Sequence, residues 1–299
     1  MEFPADVKAL DTELRKVKNG AGIIPQGIEH TVRPVAALSN ESIVDLNINR
    51  ECDRPVKELE WELDEILEIC KATTKAQETD ASEASWNDEV HSRLFREAFR
   101  LHPGICHHNV TSSRPIKDLL ARDIATGALV TSKLVDYTVN LESRPNSNLG
   151  KRIRKLLIGQ PEHLRSVTQT LYSPTRLNPA AFSIETKSGQ GKDVEARMQL
   201  ALWVGAHFTR LRSLLPLPNH SVSLPMHPLV IADVNHLHIM YAVEGEDETW
   251  ILPGPQMEVP TTVVDGYRYL AALRCLARWA DDEFRGWVDR VLLADCPST

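Results

Sequence analysis

The chain has 299 residues, 42% of them hydrophobic and 25% charged, and its formal net charge is −7. This composition is ordinary for a soluble globular protein, and the length allows one large domain or two small ones. No apolar run approaches the roughly 20 residues of a membrane span, and the N-terminus lacks the basic start and apolar core of a secretion signal. These properties exclude a membrane-spanning class, and we expect a cytoplasmic or nuclear protein that is not secreted.

The first part of the chain is predicted to differ from the rest. A short helix is predicted from Val7 to Val17, and a stretch punctuated by Gly and Pro follows from Asn19 to Pro34. We therefore interpret residues 1–50 as an N-terminal arm or linker and residues 51–299 as one domain with a core at about 80–290. Residues 51–90 hold 13 acids and 4 bases. Glu58 to Lys71 has helical spacing with an acidic outer face, and the small polar residues 72–82 predict a loop.

Ser85 to Leu101 has the strongest amphipathic pattern in the chain, and Pro103-Gly104 ends it. Its predicted apolar face consists of Trp86, Val90, Leu94, Phe95 and Phe99. A second stripe of the same helix carries polar side chains, namely Glu83, Asn87 and His91. Candidate strands follow at Ile105–Val110 and Leu129–Glu142.

A basic cluster follows these strands. Residues 144–165 hold six bases and one acid, and a short basic helix is predicted from Lys151 to Ile158. Four side chains in it, Lys151, Arg152, Arg154 and Lys155, suit contacts with phosphates or a nuclear import signal. A solvated helix face is the alternative interpretation.

Ala180 to Lys187 reads as an apolar strand that ends on a carboxylate and an amine. Residues two apart share a face of a strand, so Ser183, Glu185 and Lys187 point the same way. Burying charge is costly, so an acid and a lysine side by side in a buried strand indicate a functional role. An edge strand with a solvated pair is the alternative. The following Gly189-Gln190-Gly191-Lys192-Asp193 fails as a phosphate loop, because position 186 is not Gly and position 193 is not Ser or Thr.

The remaining chain predicts a helix, several strands and closing helices. The helix from Asp193 to Phe208 has a predicted apolar stripe of Val194, Met198, Ala201, Leu202, Gly205 and Phe208, with Gln199 on its border. A Pro-rich turn at Pro216–Pro218 precedes strands predicted at Val222–Leu224, Leu229–Val234, His236–Val243 and Trp250–Leu252. Helices close the chain from Asp265 to Leu293. Two layers around one mixed sheet is the simplest architecture.

Histidines and cysteines give only weak signs of a soft-metal site. The five cysteines are odd in number and include no Cys-x-x-Cys pair, which argues against disulfides and a structural zinc site. One histidine cluster is His102, Cys106, His107 and His108, but adjacent histidines in a strand face opposite ways. His236 and His238 share a strand face and form the other candidate.

Asp136 lies in one predicted strand, Glu185-x-Lys187 in the next, and Gln199 on the helix that follows. In this order, the motifs resemble those of the PD-(D/E)XK nuclease superfamily, and more narrowly those of the fungal PD-(D/E)XK nuclease-like domain proteins. The matching stretches cover roughly residues 80–290: Glu83–His91, Leu134–Tyr137, Ser183–Lys187, Gln199–Trp203 and Leu276–Ala280. The resemblance implies an α/β fold with a restriction-endonuclease-like core, in which helices flank a central mixed sheet.

The resemblance also implies a metal centre. Asp136 and Glu185 would bind Mg²⁺ or Mn²⁺, which take oxygen ligands. Lys187 would orient or deprotonate the attacking water and stabilise the transition state, while Gln199 would position the water or the lysine. Glu83, from the first helix of the core, would hold a water beside the ion.

The leading hypothesis is thus a Mg²⁺-dependent phosphodiester hydrolase that acts on DNA or RNA through the basic cluster. The 6% aromatic content offers few rings for stacking bases. One alternative is a nuclease-like fold repurposed as a metal-free small-molecule enzyme of fungal secondary metabolism. Another is a non-catalytic interaction module that docks through the acidic residues 51–90. A fold alone does not decide between these functions.

Overall fold

A computed structural model describes residues 3–121, 135–189, 193–215, 222–246 and 248–296. Its strands form a short parallel pair and one six-stranded sheet. The pair consists of β1 (Ile24–Pro25) and β2 (Ile48–Asn49). The sheet consists of β3 (Ile105–Asn109), β4 (Tyr137–Leu141), β5 (Ala180–Thr186), β6 (His227–Ala232), β7 (His236–Glu244) and β8 (Thr249–Glu258).

The strands of the large sheet follow one another in chain order, so β5 and β6 lie at its centre. All neighbours are antiparallel except β5 and β6, which pair in parallel from Ser183 opposite Leu229 to Thr186 opposite Ala232. A parallel pair needs a long crossover, and the helix between these two strands supplies it. The sheet is therefore mixed, as the sequence predicts.

The helices flank this sheet. They are α1 (Ala5–Lys18), α2 (Glu29–Leu38), α3 (Val56–Glu78), α4 (Glu83–Trp86), α5 (Ser92–Phe99), α6 (Asn148–Ile158), α7 (Asp193–Leu214), α8 (Val263–Trp279) and α9 (Arg285–Trp287). Single wide turns of π-type lie at Asn87–His91, Ala280–Phe284 and Val288–Leu292. Short 3₁₀ turns lie at Gln26–Ile28, Asp45–Asn47, Lys117–Leu119 and Glu162–Leu164. Within the described ranges, no helix is long and apolar enough to cross a membrane.

The two faces of the sheet are covered by different helices. On one face, the Phe182 ring lies 6.0 Å from that of Phe99 on α5. On the other, the Ser183 hydroxyl lies 3.0 Å from Nε2 of His227, whose ring is 4.5 Å from that of His207 on α7. Successive residues of a strand face opposite sides. The central strands are thus enclosed on both faces, and α7 covers the face that bears Ser183 and Glu185.

The N-terminal segment shares the main hydrophobic core. Val7, Leu10 and Leu14 of α1 and Val32 and Ala36 of α2 are all buried in the same cluster as the sheet residues. Only the helix at 7–17 was predicted here; α2 was missed because Pro34 lies inside it and proline usually ends a helix. The boundary at residue 50 stays a prediction, but α1 packs on α8 and β8, and α2 packs on α8.

Three element predictions are corrected. The expected loop at 72–82 is mostly helix, because α3 continues to Glu78 and buries Thr73 and Ala76. No strand forms at Val222–Leu224. The last strand extends beyond Leu252 to Glu258 despite two prolines, which an edge strand tolerates because one row of its backbone groups has no sheet partner. Parts of three predictions lie outside the described residues. They are 129–134 of a predicted strand, 190–192 of the phosphate-loop candidate, and the predicted turn at 216–218.

The apolar stripe predicted on α7 is also corrected. Val194 is 72% exposed and Met198 is 60% exposed. The side of α7 that is buried carries Ala196, Gln199, Leu200, Trp203, His207 and Leu211. Phe208 of the predicted stripe is buried, but apolar residues occur on several sides of this helix, so their periodicity alone misplaces the start of the buried face.

The crossing of α8 over α3 depends on a glycine. A Cβ added at Gly266 would lie 2.5 Å from Cγ2 of Ile66, which cannot move away freely because Ile66 is buried. We expect Gly266→Ala to lower the free energy of unfolding by about 1–3 kcal/mol through overpacking. Gly205→Ala is the matched control, since nothing lies within 4 Å of the added Cβ in α7. The control should be stabilising by about 0.5–1 kcal/mol. Urea denaturation measures both; equal effects would contradict the close crossing.

Candidate active site

The sheet register brings Asp136 to the end of β5. Asp136 directly precedes β4. The first residue of that strand, Tyr137, pairs with Ile184 of β5. Its Oδ2 accepts hydrogen bonds from the Thr186 backbone N at 2.8 Å and from the Thr186 hydroxyl at 2.6 Å. This carboxylate is therefore fixed between the residues of the Glu185-x-Lys187 motif.

Glu185 and Lys187 form a buried ion pair. Only 1% of Glu185 and 7% of Lys187 are exposed, and the Lys187 ammonium donates a hydrogen bond to Oε1 of Glu185. The Lys187 backbone N donates to the Ala232 carbonyl at 3.0 Å, which continues the pairing of β5 with β6. The other Glu185 oxygen, Oε2, is buried and has no hydrogen-bond partner among the described residues.

Burial and neighbouring charge shift the pKa values of this pair. Burial raises the pKa of Glu185 to about 8, the Asp136 and Glu83 charges add to the rise, and the hydrogen bond from Lys187 opposes it. Burial alone would lower the pKa of Lys187, but its hydrogen bond to Glu185 and the charges of Glu185, Glu83 and Asp136 outweigh burial and raise it. With no other cation near, Glu185 is therefore ionised and paired with Lys187 above about pH 8, and below that pH Glu185 takes up a proton while Lys187 stays protonated.

The first helix of the core contributes to the same electrostatic site. Glu83 acts on both Glu185 and Lys187, so its charge lies near the pair. Further along this helix, Asn87 Oδ1 and His91 Nδ1 are buried and have no hydrogen-bond partner among the described residues. Burial lowers the pKa of His91 to about 4, so its ring is neutral. The polar stripe predicted for this helix is therefore directed inward at Asn87 and His91.

Gln199 belongs to the buried side of α7, which packs on β5 and β6. Its amide oxygen is buried without a hydrogen-bond partner in the described parts of the chain. Sequence reasoning missed two other buried groups on this face, His207 and His227. Burial lowers the pKa of His207 to about 3 and also lowers that of His227, so both rings are neutral. The His227 ring contacts the Ser183 hydroxyl, and the His207 ring packs against that of His227.

The residues present fit a hard cation. Such a cation prefers oxygen ligands, and the buried, unpartnered Oε2 of Glu185 is an oxygen that lacks a donor. A buried polar atom without a partner is rare in a folded protein and calls for an explanation by an ion or a water. Asp136 would supply a second carboxylate from the neighbouring strand.

The basic cluster divides into structural and exposed residues. Arg152 is largely buried, and its guanidinium donates to the carboxylate of Asp289 at 2.5 Å and to three C-terminal carbonyls. Arg154 donates to the carbonyls of Pro145 at 2.7 Å and Gly150 at 3.2 Å. Lys151 and Lys155 are exposed on α6. Of the four α6 bases, only these two lysines are exposed, so the count of bases on this helix overstates the charge available to a phosphate.

The two soft-metal candidates differ in the structure. In the first, Cys106 Sγ lies 3.5 Å from Nε2 of His108, and burial lowers the pKa of His107 to about 4. In the second, Asp233 joins His236 and His238, a carboxylate that the sequence pattern did not include.

A family model described as the PD-(D/E)XK nuclease superfamily matches residues 40–285. Searches among curated proteins and among solved structures gave no match. The matched range contains Glu83, Asp136, Glu185, Lys187 and Gln199. It confirms the superfamily and the fold class, while the narrower resemblance to fungal members stays a prediction.

The raised pKa of Glu185 predicts a pH-dependent stability. The folded state binds a proton more tightly than the unfolded chain, whose glutamate has a pKa of about 4.3. The stabilisation is fully present below that value and is lost as the pH rises through about 8. We expect the melting temperature of wild type, relative to Glu185→Gln, to fall between about pH 5 and 9 in the presence of a chelator. The control Glu89→Gln, at an exposed position, should show the same change of melting temperature with pH as wild type. If the difference in melting temperature between wild type and Glu185→Gln does not change with pH, the pKa of Glu185 is not raised.

Proposed function

The chain belongs to the PD-(D/E)XK nuclease superfamily, and from this premise we propose that it is a Mg²⁺- or Mn²⁺-dependent phosphodiester hydrolase that acts on nucleic acid. The observation that carries the proposal is the buried cluster of Asp136, Glu185 and Lys187 at the end of β5. It combines two carboxylates with one cationic side chain, which are the groups that this hydrolysis needs.

Asp136 and Glu185 would hold the cation. A hard divalent cation at these oxygens would polarise a phosphate oxygen and lower the pKa of a bound water. Asp136 is already oriented by two hydrogen bonds from Thr186, so little freedom is lost on binding. Glu185 must lose its proton first, and its pKa of about 8 makes cation binding stronger as the pH rises.

Lys187 would act as a fixed positive charge. Its raised pKa keeps the ammonium protonated at neutral pH, which favours charge stabilisation over proton abstraction. In the pentacovalent transition state, negative charge develops on the phosphoryl oxygens, and a buried ammonium stabilises it more than an exposed one would. Gln199 would accept a hydrogen bond from the attacking water through its free amide oxygen. Glu83 would hold a water beside the cation.

A metal-free acid–base enzyme for a small substrate is the second candidate. The Lys187–Glu185 pair favours it, because the lysine already neutralises part of the charge that a cation would otherwise balance. The protonated Glu185 would then act as the general acid. The two candidates differ in their response to divalent cations.

Thermal denaturation in the presence of Mn²⁺ tests the metal directly. A cation that binds only the folded state adds about 2.7 kcal/mol at a hundredfold excess over Kd. We expect millimolar Mn²⁺ to raise the melting temperature of wild type by roughly 4 °C at pH 8.5 and that of Glu185→Gln by much less.

Lys187→Met separates binding from chemistry. Lysine is not a ligand, so this variant should keep the Mn²⁺-induced shift, while cleavage of a labelled DNA or RNA duplex falls by about a hundredfold or more. If wild type and Glu185→Gln respond identically to Mn²⁺, the metal-dependent proposal is wrong and the metal-free candidate replaces it.

The nucleic-acid part of the proposal rests on the exposed lysines of α6. We expect the double variant Lys151→Glu/Lys155→Glu to weaken duplex binding and to reduce the slope of log affinity against log salt by about 2, since each phosphate contact contributes about 0.9. Arg152 is unsuitable for this test because it anchors the C-terminus.

The matched control for the lysine variant is Lys71→Glu/Lys75→Glu. It changes the net charge equally but lies on the exposed side of α3. It should lose less affinity than the α6 variant. If fluorescence anisotropy shows that both double variants lose the same affinity for the duplex, binding depends on net charge alone and α6 is not the contact surface.

A further inference from the structure

The turn between β6 and β7 brings together a second set of candidate ligands. Asp233, His236 and His238 are the only three histidine, cysteine or carboxylate residues in the described ranges whose ligand atoms all lie within 4.8 Å of one another. We propose that these three residues bind a late first-row divalent cation of the Zn²⁺ type, at a site separate from Asp136 and Glu185.

Backbone geometry orients all three side chains. His236 and His238 are two apart in β7, so they share one face of the sheet, and their rings lie 5.5 Å apart. Oδ1 of Asp233 accepts hydrogen bonds from the backbone N atoms of Asn235 at 2.7 Å and His236 at 2.8 Å. These two bonds hold the carboxylate in the turn and leave Oδ2 directed at His238.

The distances suit a small cation. Two ligand atoms about 2.0 Å from a tetrahedral Zn²⁺ lie about 3.3 Å apart. In the structure, Asp233 Oδ2 is 2.9 Å from Nε2 of His238, and Asp233 Oδ1 is 3.9 Å from Nδ1 of His236. These two distances fall on either side of the tetrahedral value, and all three ligand atoms lie within 4.8 Å of one another, so side-chain rotation would bring them into coordination.

A further carboxylate orients the ring of His236. Its Nε2 lies 3.5 Å from Oε2 of Glu258, the residue opposite His236 in β8. A histidine that ligates through Nδ1 is thereby aligned through its other nitrogen, as ligating histidines in proteins commonly are. Glu258 thus orients a ligand and is not itself counted as one.

The donor set selects the class of cation. Two imidazoles and one carboxylate suit Zn²⁺, Co²⁺ and related ions, whereas Mg²⁺ prefers oxygen donors alone. Three protein ligands leave a position for water or a substrate group. The side chains of Asp233, His236 and His238 are 13%, 30% and 18% exposed, so the site is open to an ion from solvent.

This site and the carboxylate site are neighbours in the sheet. The Lys187 backbone N donates to the carbonyl of Ala232, the residue before Asp233. A cation bound at the turn would therefore fix the end of β6 against which the Lys187 backbone is paired. The inference stands without the proposed hydrolase function, because its ligands are different residues.

Co²⁺ titration tests the proposal through its visible absorption, which reports coordination number and ligand type. We expect chelator-treated wild type to bind one equivalent of Co²⁺ with the intense absorption of a four- or five-coordinate ion, distinct from the weak absorption of six-coordinate Co²⁺ at the oxygen-only site, and equimolar Zn²⁺ to displace it. Asp233→Asn keeps an acceptor for the two backbone N–H groups but loses the charged ligand. His238→Ala removes an imidazole. Each should weaken binding at least about tenfold, which is the lower end of the typical effect for residues that merely orient ligands.

Three control variants identify the site. The exposed His30→Ala and Cys106→Ser, which removes the thiol near His108, should bind Co²⁺ as wild type does. Glu185→Gln removes a carboxylate of the other proposed site and should still give the four- or five-coordinate Co²⁺ absorption, which separates this outcome from failure of the hydrolase proposal. Circular dichroism verifies that each variant is folded. Absence of Co²⁺ binding by wild type, or unchanged binding by both Asp233→Asn and His238→Ala, would overturn the proposal.

Discussion

A buried ion pair at the end of the central strand is the constraint around which the site is built. All seven residues of β5 are buried; Glu185 is its penultimate residue, and Lys187 follows the last residue of the strand. Removing two charges from water costs several kcal/mol per ion, which their attraction repays only with good geometry and further hydrogen bonds. Here Oε1 of Glu185 accepts a hydrogen bond from the Lys187 ammonium, whereas Oε2 has no hydrogen-bond partner among the described residues. A buried ion pair that lacks one of its hydrogen bonds contributes little to the stability of the fold, but its free oxygen is suited to bind a ligand.

A second buried glutamate shows what a purely stabilising environment looks like in the same protein. Glu62 of α3 accepts paired hydrogen bonds from Arg54 and from Arg274 of α8, at 2.6–3.2 Å. Burial alone would raise its pKa, but the two guanidinium groups outweigh burial and lower it to about 2. Glu185, with a single lysine and a neighbouring Asp136, has a pKa of about 8. Two glutamates of similar burial thus differ because one has all its lone pairs engaged and the other does not.

The sequence predicts the site better than the helix that covers it, for a physical reason. Alternation in a strand is strict, so Glu185 and Lys187 must share a face, and their charges are conspicuous in an apolar segment. In α7, apolar side chains occur all round the helix, and the choice between the Val194 side and the Trp203 side depends on tertiary packing. The sequence identifies His236 and His238 as a pair but not Asp233, because that carboxylate belongs to a turn, whose geometry no periodicity encodes. The role of Arg152 is also hidden, because its partners lie more than a hundred residues further along the chain.

The two candidate sites at this end of the sheet differ in donor chemistry, and that difference is what would keep their cations apart. Asp136 and Glu185 offer only oxygen ligands. Lys187 beside them repels a cation, and this repulsion is outweighed only when both carboxylates are charged. Asp233, His236 and His238 offer two nitrogens and one oxygen, with no lysine or arginine among the ligands. Late transition metals bind imidazole far better than Mg²⁺ does, whereas Mg²⁺ is abundant and tolerates sites made of oxygen. Each site would therefore select its cation by ligand type, although both lie at the end of the same pair of strands.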